Sequence, residues 1–208
     1  MRKLVLKMSV SVDGFLSGPN GEIDWLLKSL DTDVITWLLD TLWQADVHIM
    51  GRRTFHDMAA YYPTSSEPYA APMNEIPKVV FSRYGLLADK REERTKGFED
   101  ANRLIPTGSG SSSTQSWAHA TVAQGELAEE IARLKQQAGK IILAHGGAHF
   151  AQSLARSGCV DEYRLLVHPW ALGNGLPLFS GLTKPVNLRL VSATAFGGGV
   201  VGLVYRAT

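Results

Sequence analysis

The sequence VHIMGRRTF, Val47 to Phe55, combines the features of a buried strand with those of an anion-binding turn. A short apolar run ends at Gly51, and two arginines, a threonine and an aromatic residue follow at once. Apolar runs of this length are typical of strands buried in a sheet. A helix that begins directly after such a strand offers free backbone N–H groups, and arginine adds a fixed positive charge with forked donors. The stretch therefore predicts a strand, a turn that attracts anions, and a helix.

Two further strand ends have related chemistry. Ser82 and Arg83 follow the apolar run KVVF, and the segment Gly146–Ala148 separates the apolar run IILA from a helical pattern. In open α/β sheets, ligands bind where strands end and helices begin. We therefore predict that the pyrophosphate of a dinucleotide lies across Gly146, Gly147 and the start of the helix at Thr54.

A ribose 2′-phosphate would give Arg52 or Arg53, and Arg83, an anionic partner. Since NADPH carries this phosphate and NADH does not, we predict NADPH as the cofactor. Its predicted site is formed by three side chains: Ser82, Arg83 and either Arg52 or Arg53. The alternative is that the arginines are solvated surface residues and that the glycines only form turns. The late GGAHFA sequence is not a G-x-G-x-x-G fingerprint, so an ordinary Rossmann domain is not predicted.

Strand and helix patterns alternate along the chain. The strand patterns cover Leu4–Val12, Val47–Met50, Ile76–Ser82, Ile141–Ala144 and Val160–Val167. The helical patterns run from a possible cap at Asp33 to about Gln44, over Thr54–Ala60 and Glu126–Gln137, and from HGGAHF to about Ser157. This alternation predicts an α/β fold with a mostly parallel sheet that is covered on both faces. Asn187–Phe196 and Val200–Ala207 flank three glycines and predict a C-terminal antiparallel hairpin.

The 208-residue length suits a single domain, 1–208, with one insertion. The insertion is predicted at about residues 86–114, where a strongly charged run precedes a Gly/Ser-rich run and no periodicity is present. Residues 107–114 are predicted to be flexible.

Charge and hydropathy exclude several classes of function. A formal net charge of +1 gives no overall field that would hold nucleic acid or an anionic membrane. No apolar run approaches the ~20 residues that span a bilayer. Cys159 is the only cysteine, so an intrachain disulfide is impossible and a cytoplasmic location is predicted. His145 and His149 are four residues apart, but no third ligand is placed by spacing, so no metal site is predicted.

Five segments of the chain resemble one known family. SVDGFLSGPNGEIDWL, HIMGRRTF, PKVVFSR, LAHGGAHFAQSL and VDEYRLLVHPWALGNGLPLF occur in this order. Together they resemble the riboflavin-biosynthesis reductase C-terminal domain family, which has the dihydrofolate reductase fold. The resemblance covers nearly the whole chain except residues 86–114. It implies a three-layer α/β/α domain with a mixed, mostly parallel sheet of eight strands, a C-terminal antiparallel hairpin and a homodimer.

The resemblance also implies the residues of a cofactor site and a substrate site. It assigns NADPH binding to Gly51, Arg52, Arg53, Thr54, Ser82, Arg83, Gly146, Gly147 and Ala148. The loop after Asp13-Gly14 resembles the mobile loop beside the nicotinamide in dihydrofolate reductase. Leu16 is then expected at the cofactor, and Phe15 and Trp25 at the substrate.

Three polar residues in this region leave alternatives open. Asp24 adjoins Trp25 and is the candidate acid of the cleft, whereas Asp31 and Asp33 are typical helix-start acids. His145 stands where riboflavin reductases often have an acid, and it is either a proton donor or a structural histidine. Asp13 either contacts cofactor or substrate, or bonds the backbone of its own turn.

These expectations describe a reductase. It would transfer a hydride from NADPH to a C=N or C=O bond of a small pyrimidine-like or pterin-like substrate, in a reaction related to that of 5-amino-6-(5-phosphoribosylamino)uracil reductase. The proton would arrive through Asp24, His145 or water. Two alternatives are a dihydrofolate reductase proper and a non-catalytic nucleotide-binding or regulatory module on the same fold.

Overall fold

An eight-stranded sheet organises the chain in a computed structural model that describes residues 1–86 and 115–208. Its strands are β1 Lys3–Ser11, β3 Ala45–Gly51, β4 Lys78–Phe81, β5 Thr121–Ala123, β6 Ile141–Ala144, β7 Glu162–His168, β9 Leu188–Ala195 and β10 Val201–Ala207. A separate antiparallel pair is formed by β2 Phe15–Ser17 and β8 Leu176–Pro177.

The strand order in the large sheet is β5-β4-β3-β6-β1-β7-β10-β9. The six strands from β5 to β7 are paired in parallel. β10 runs antiparallel to both of its neighbours, β7 and β9. The mixed, mostly parallel sheet and the C-terminal antiparallel hairpin are thus as predicted.

Seven α-helices in the described residues accompany the sheet: α1 Asp24–Leu27, α2 Thr32–Trp43, α3 Arg52–Tyr61, α4 Ala70–Glu75, α5 Gln115–Ala118, α6 Leu127–Gln136 and α7 Ala148–Ser157. α6 and α7 pack on one face of the sheet. α2, α3 and α4 pack on the other. Parallel strands require crossover connections, and these helices cover both faces.

The central strand β6 shows why the core has two sides. Ile142 and Ala144 belong to the cluster under α6 and α7, whereas Leu143 between them belongs to the cluster under α2 and α3. All three side chains are fully buried. A continuous apolar run is what a strand covered on both faces needs, because successive side chains point to opposite faces.

Several predictions for local structure require correction. The side chain that caps α2 is Asp31, not Asp33: its Oδ1 accepts a hydrogen bond from the Val34 N–H at 2.8 Å. β5, α1, α4, α5 and the β2–β8 pair were not predicted, because segments of two to six residues are too short to show a period. The predicted insertion lies, from residue 87 to residue 114, outside the described residues. Within the described ranges, no helix has the length and apolarity that crossing a membrane demands.

The Asp31 carboxylate also reaches the C-terminal hairpin, since its Oδ2 accepts from the Gly198 N–H at 2.8 Å. We expect Asp31→Ala to lower Tm by about 3 °C, because it removes a helix cap and this long-range bond. Asp33→Ala is the matched control and should leave Tm within about 1 °C of the unmodified protein. Thermal unfolding followed by circular dichroism measures both, and equal shifts would contradict the assignment of the cap.

Candidate functional site

Three turns with the predicted anion chemistry lie side by side at one edge of the sheet. They follow β4, β3 and β6, which are adjacent and parallel. Their carboxyl ends are in register, with Gly51 opposite Phe81 and Ile49 opposite Ala144. Parallel strands end on the same edge, so turns that are far apart in sequence meet there.

The helices that leave two of these turns begin with glycine. Gly51 is the N-cap of α3 and Gly147 is the N-cap of α7, and neither helix has a side-chain cap or an acidic residue in its first turn. The first N–H groups of a helix have no partner within it, and here no capping side chain takes them. The two helix N-termini therefore offer backbone donors and positive dipole ends to an external anion.

The turns pack so closely that a side chain at any of their glycines would press on a neighbouring residue, which would have to shift by a few tenths of an ångström. A Cβ built on Gly147 would lie 3.1 Å from Thr54 Oγ1, and one built on Gly51 would lie 3.3 Å from Phe150 Cβ. A Cβ on Gly146 would meet Met8 Cε at 3.2 Å. The start of α3 thus lies next to the turn before α7, and the Gly146–Gly147 peptide bond in that turn is cis. Gly51, Thr54, Gly146, Gly147 and Ala148 are brought together as the sequence predicts.

Cationic and hydroxyl side chains directly follow β3 and β4 at this edge of the sheet. Arg52 and Arg53 occupy the first turn of α3, and Arg53 and Arg83 are exposed. Ser82 directly follows β4, where its hydroxyl donates to the Gly85 carbonyl oxygen at 2.6 Å. A hydroxyl has a single O–H, so Ser82 would have to turn away from the Gly85 carbonyl in order to donate to a bound phosphate.

Asp13 ties the turn after β1 to the loop after β7. Its carboxylate accepts from the Ser11 hydroxyl at 2.5 Å and from the backbone N–H groups of Leu172 and Gly173 at 3.2 and 2.7 Å. The Ser11 hydroxyl and these N–H groups lower the pKa of Asp13. Asp13 therefore bonds backbone N–H groups, as one of the two alternatives predicts. These groups belong to a second loop, however, and not to the turn of Asp13 itself.

The residues after Asp13 are placed beside this edge. Phe15 and Leu16 lie in β2, and the Leu16 side chain is buried in the core cluster with Val10 and Leu178. Trp25 is buried and meets the His168 ring edge-on, with 5.6 Å between ring centroids. Contact of these residues with cofactor or substrate stays a prediction.

Asp24 lies on the first turn of α1, with its carboxylate 3.6 Å from Lys28 Nζ. Its side chain is 44% exposed. The contacts are those of an ordinary i,i+4 ion pair at the surface. They give no independent support to a catalytic role for Asp24.

His145 follows β6 and is buried against a second histidine. Its backbone N–H donates to the Ile49 carbonyl at 2.9 Å, and its ring lies 4.5 Å from that of His48 between centroids. Burial, together with repulsion from His48, Lys7 and Lys78, holds the pKa of His145 well below its usual range. The ring is neutral at pH 7, which favours a packing role over donation of a proton from imidazolium.

Sequence reasoning missed three bases on this face of the sheet, of which Lys78 and His168 are buried and Lys7 is partly buried. Burial lowers the pKa of Lys7 to about 8 and that of Lys78 to about 7. Burial, with repulsion from Lys7, lowers the pKa of His168 to about 4, and the Ser29 hydroxyl lies 2.7 Å from His168 Nδ1. Lys7 and Lys78 sit in predicted strands and His168 directly follows a third, and their position in or beside an apolar run was the available signal.

Lys78 is held by polar contacts and by an aromatic ring. Its Nζ donates to the Ile76 carbonyl at 2.5 Å and to the Ser116 hydroxyl at 2.7 Å, and it lies 4.4 Å from the centre of the Trp117 ring. Hydrogen bonds and a cation–π contact offset part of the cost of burying this group. The contacts join α5 to β4 and assign Lys78 a structural role.

A model of the RibD C-terminal domain family matches residues 2–202. The chain belongs to this family. Among its relatives is the Bacillus subtilis (strain 168) protein YyaP, described as uncharacterized, which is 31% identical over 205 residues. That alignment covers 99% of this chain and 95% of YyaP.

Solved structures show the same fold as this RibD C-terminal domain protein. A Thermotoga maritima diaminohydroxyphosphoribosylaminopyrimidine deaminase/5-amino-6-(5-phosphoribosylamino)uracil reductase matches with a TM-score of 0.64 and 15% identity, over 100% of this chain and 57% of that one. A dihydrofolate reductase from Enterococcus faecalis matches with a TM-score of 0.56 and 11% identity, over 99% and 96% of the two chains. The predicted dihydrofolate reductase-like fold is confirmed.

No group of three or more side chains of the kinds that bind metals comes together within the described ranges. The buried pair His48 and His145 can be tested as two neutral imidazoles. Burial, with repulsion from Lys78, lowers the pKa of His48 to about 3. The unfolded chain binds a proton on this imidazole below pH 6.5, whereas the folded chain does so only near pH 3. The neutral His48 ring therefore contributes fully to the free energy of unfolding above pH 6.5, and this contribution declines as the pH falls toward 3.

Between pH 7 and pH 5, we expect His48 to lower the free energy of unfolding of the unmodified protein by about 2 kcal/mol. His48→Leu should lack this decrease. Urea unfolding at the two pH values measures this difference. His119→Gln, at an exposed position, should retain the full pH dependence. An unchanged pH dependence in His48→Leu would contradict the burial of a neutral imidazole.

Proposed function

We propose that this RibD C-terminal domain protein is an NADPH-dependent reductase that transfers a hydride to a C=N or C=O bond of a small pyrimidine-like or pterin-like substrate. The observation that carries the proposal is the meeting of three turns at one edge of the sheet, with two uncapped helix N-termini. Two proteins of the same fold, a uracil reductase and a dihydrofolate reductase, support the reaction class.

The chain's own groups fit a dinucleotide diphosphate. The pyrophosphate would bind the first N–H groups of α3 and α7, where Gly51, Gly146 and Gly147 let the backbone approach closely. Arg52 or Arg53, with Ser82 and Arg83, would bind the 2′-phosphate of the adenosine ribose. Guanidinium groups suit this role because they bind phosphate oxygens through forked donors.

When bound, NADPH supplies the hydride, and the chain supplies orientation and shelter from water. Asp13 holds the turn after β1 against the loop at Leu172 and Gly173, which keeps both beside the reacting groups. Trp25 covers the end of β7. The proton is assigned to water, because the His145 ring is neutral and the Asp24 carboxylate is paired with Lys28 at the surface.

The cofactor assignment predicts a preference for NADPH over NADH. We expect Arg52→Ala, Arg53→Ala or Arg83→Ala to weaken NADPH binding, with a loss of about tenfold or more at the arginine that contacts the 2′-phosphate and little change for NADH. Titration followed by nicotinamide fluorescence measures both cofactors. Arg133→Ala, on the exposed surface of α6, is the matched control.

Comparable affinity of the unmodified protein for NADH and NADPH would reject the 2′-phosphate site. Oxidation of NADPH with a panel of pterins, pyrimidines and small imines then separates a reductase from a non-catalytic nucleotide-binding module. Dihydrofolate belongs in the panel, since its turnover would indicate a dihydrofolate reductase proper.

We also propose that two copies of the chain pair through β9. This edge strand exposes nearly all of its residues, including Leu190 and Val191 at 50% and 47%. An exposed apolar edge strand favours pairing with another strand, and two identical antiparallel edges can close a twofold dimer. We expect Leu190→Lys to shift a dimer toward monomer in sedimentation velocity, whereas Trp43→Lys on α2 should not. A monomeric unmodified protein would contradict the proposal.

A further inference from the structure

The chain contains two asparagine–glycine pairs, Asn20-Gly21 and Asn174-Gly175. The first lies in the loop between β2 and α1, and the second lies in the loop between β7 and β8. Both asparagines are exposed to solvent. In such a pair the backbone can attack the asparagine side chain, because glycine has no side chain that blocks the approach. Since the two pairs are the same dipeptide, the fold is what distinguishes them.

The attack is a deamidation that needs only water. The glycine nitrogen forms a bond to the side-chain carbonyl carbon of asparagine, and the bond from that carbon to the amide nitrogen breaks. The glycine N–H loses its proton to solvent, and the amide nitrogen takes up a proton and leaves as ammonia. Water then opens the resulting succinimide at either carbonyl, which gives aspartate or isoaspartate. Nothing is oxidised or reduced.

The fold holds Asn20 and Gly21 in an arrangement that opposes this attack. The Gly21 N–H donates to the Gly18 carbonyl at 3.1 Å, so the attacking nitrogen is engaged elsewhere. The Asn20 side-chain amide donates to Glu22 Oε1 at 2.8 Å, and the Asn20 backbone N–H donates to Glu22 Oε2 at 2.9 Å. Both reacting groups must give up these hydrogen bonds before the succinimide can close.

Asn174 and Gly175 face each other instead. The Asn174 Oδ1 atom accepts a hydrogen bond from the Gly175 N–H at 2.8 Å, and within the described ranges this is the only hydrogen bond of the Asn174 side chain. A C=O bond is about 1.23 Å long, so the side-chain carbonyl carbon lies within about 4 Å of the nitrogen that attacks it. Holding two reacting groups together in this way raises the rate of their reaction.

The main chain is anchored on both sides of Asn174. Before it, the Gly173 N–H donates to the Asp13 carboxylate at 2.7 Å. After it, Gly175 packs so closely on β2 that a Cβ at this position would collide with the Ser17 carbonyl oxygen. These two anchors keep the asparagine and its glycine in the arrangement that favours attack.

We propose that Asn174 deamidates spontaneously in the folded protein, whereas the fold protects Asn20. The proposal rests on the contrast between the two pairs: Gly175 directs its N–H to the neighbouring amide, and Gly21 directs its N–H to another carbonyl. The reaction requires no ligand, cofactor or partner other than water. The proposal is therefore independent of the proposed reductase function.

The product alters the loop that Asp13 holds. A carboxylate at position 174 stands next to Gly173, whose N–H donates to the Asp13 carboxylate, so two negative charges oppose each other. Isoaspartate also adds a methylene group to the main chain before Gly175, which has no free space against Ser17. Deamidation therefore loosens the attachment of this loop to β2.

Incubation of the full chain at mildly alkaline pH, followed by digestion with pepsin in acid and mass spectrometry, tests the proposal. The mass of each peptide measures the conversion of asparagine to the acid. We expect Asn174 to convert about tenfold or more faster than Asn20. In urea that unfolds the chain, the two rates should become similar. Glu22→Ala frees the Asn20 amide, so it should accelerate conversion at Asn20 and leave the rate at Asn174 unchanged.

The proposal is overturned if Asn20 converts as fast as Asn174 in the folded protein, or if Asn174 remains an amide while the unfolded chain converts. A difference between the two rates that persists in urea also overturns it, because the cause would then be local sequence and not the fold. These comparisons use the unmodified protein, so they hold even where Glu22→Ala does not fold.

Hydrogen exchange tests the consequence for the loop. The Leu178 N–H donates to the Gly14 carbonyl at 3.1 Å, next to the β2–β8 pair. We expect the peptide that contains Leu178 to exchange faster in deamidated protein than in fresh protein. Asn174→Gln, incubated in the same way, is the matched control, because the longer glutamine side chain cannot close a succinimide. Equal exchange in fresh and fully deamidated protein would contradict the loosening of the loop.

Discussion

Parallel pairing of β4, β3, β6 and β1 is the constraint on which the candidate site depends. Each parallel connection must cross a face of the sheet before the chain returns, so every one of these strands ends at the same edge. Three turns that are separated by tens of residues thereby become neighbours, and two helices begin there with glycine at the cap. The same crossovers bury β6 on both faces, which ties the position of the site to the packing of the core.

The surface and the interior of this edge have opposite electrostatic characters. At the surface, the arginines and the helix N-termini create a positive potential that attracts anions. Beneath it, His48, His145 and Lys78 are buried, and burial favours their neutral forms. Neutral histidines below a cationic rim avoid the cost of buried charge, while solvent compensates the charge of the arginines above.

The proposed cofactor site is built from groups that suit phosphates. The turns after β4, β3 and β6 supply backbone donors and cations, which bind phosphate oxygens. β1 lies beside β6, and Asp13 at its end holds the loop that follows β7. The two loops that Asp13 joins therefore border the proposed phosphate site along one edge of the sheet.

The sequence by itself determined the elements with strong local signals and the residue types at the strand ends. Ile141–Ala144 is apolar throughout, Glu126–Gln137 has helical periodicity, and Gly51, Arg52, Gly146 and Gly147 mark their turns directly. It did not determine β5 or α4, because three and six residues are too few for a period. Nor could it choose Asp31 over Asp33 as the cap of α2, since both are aspartates and either could cap the helix. Only the tertiary structure decided that Asp13 bonds a loop 160 residues away and that His145 packs on His48. These contacts join residues distant in the chain, and their geometry follows from strand order and helix packing, which no local pattern encodes.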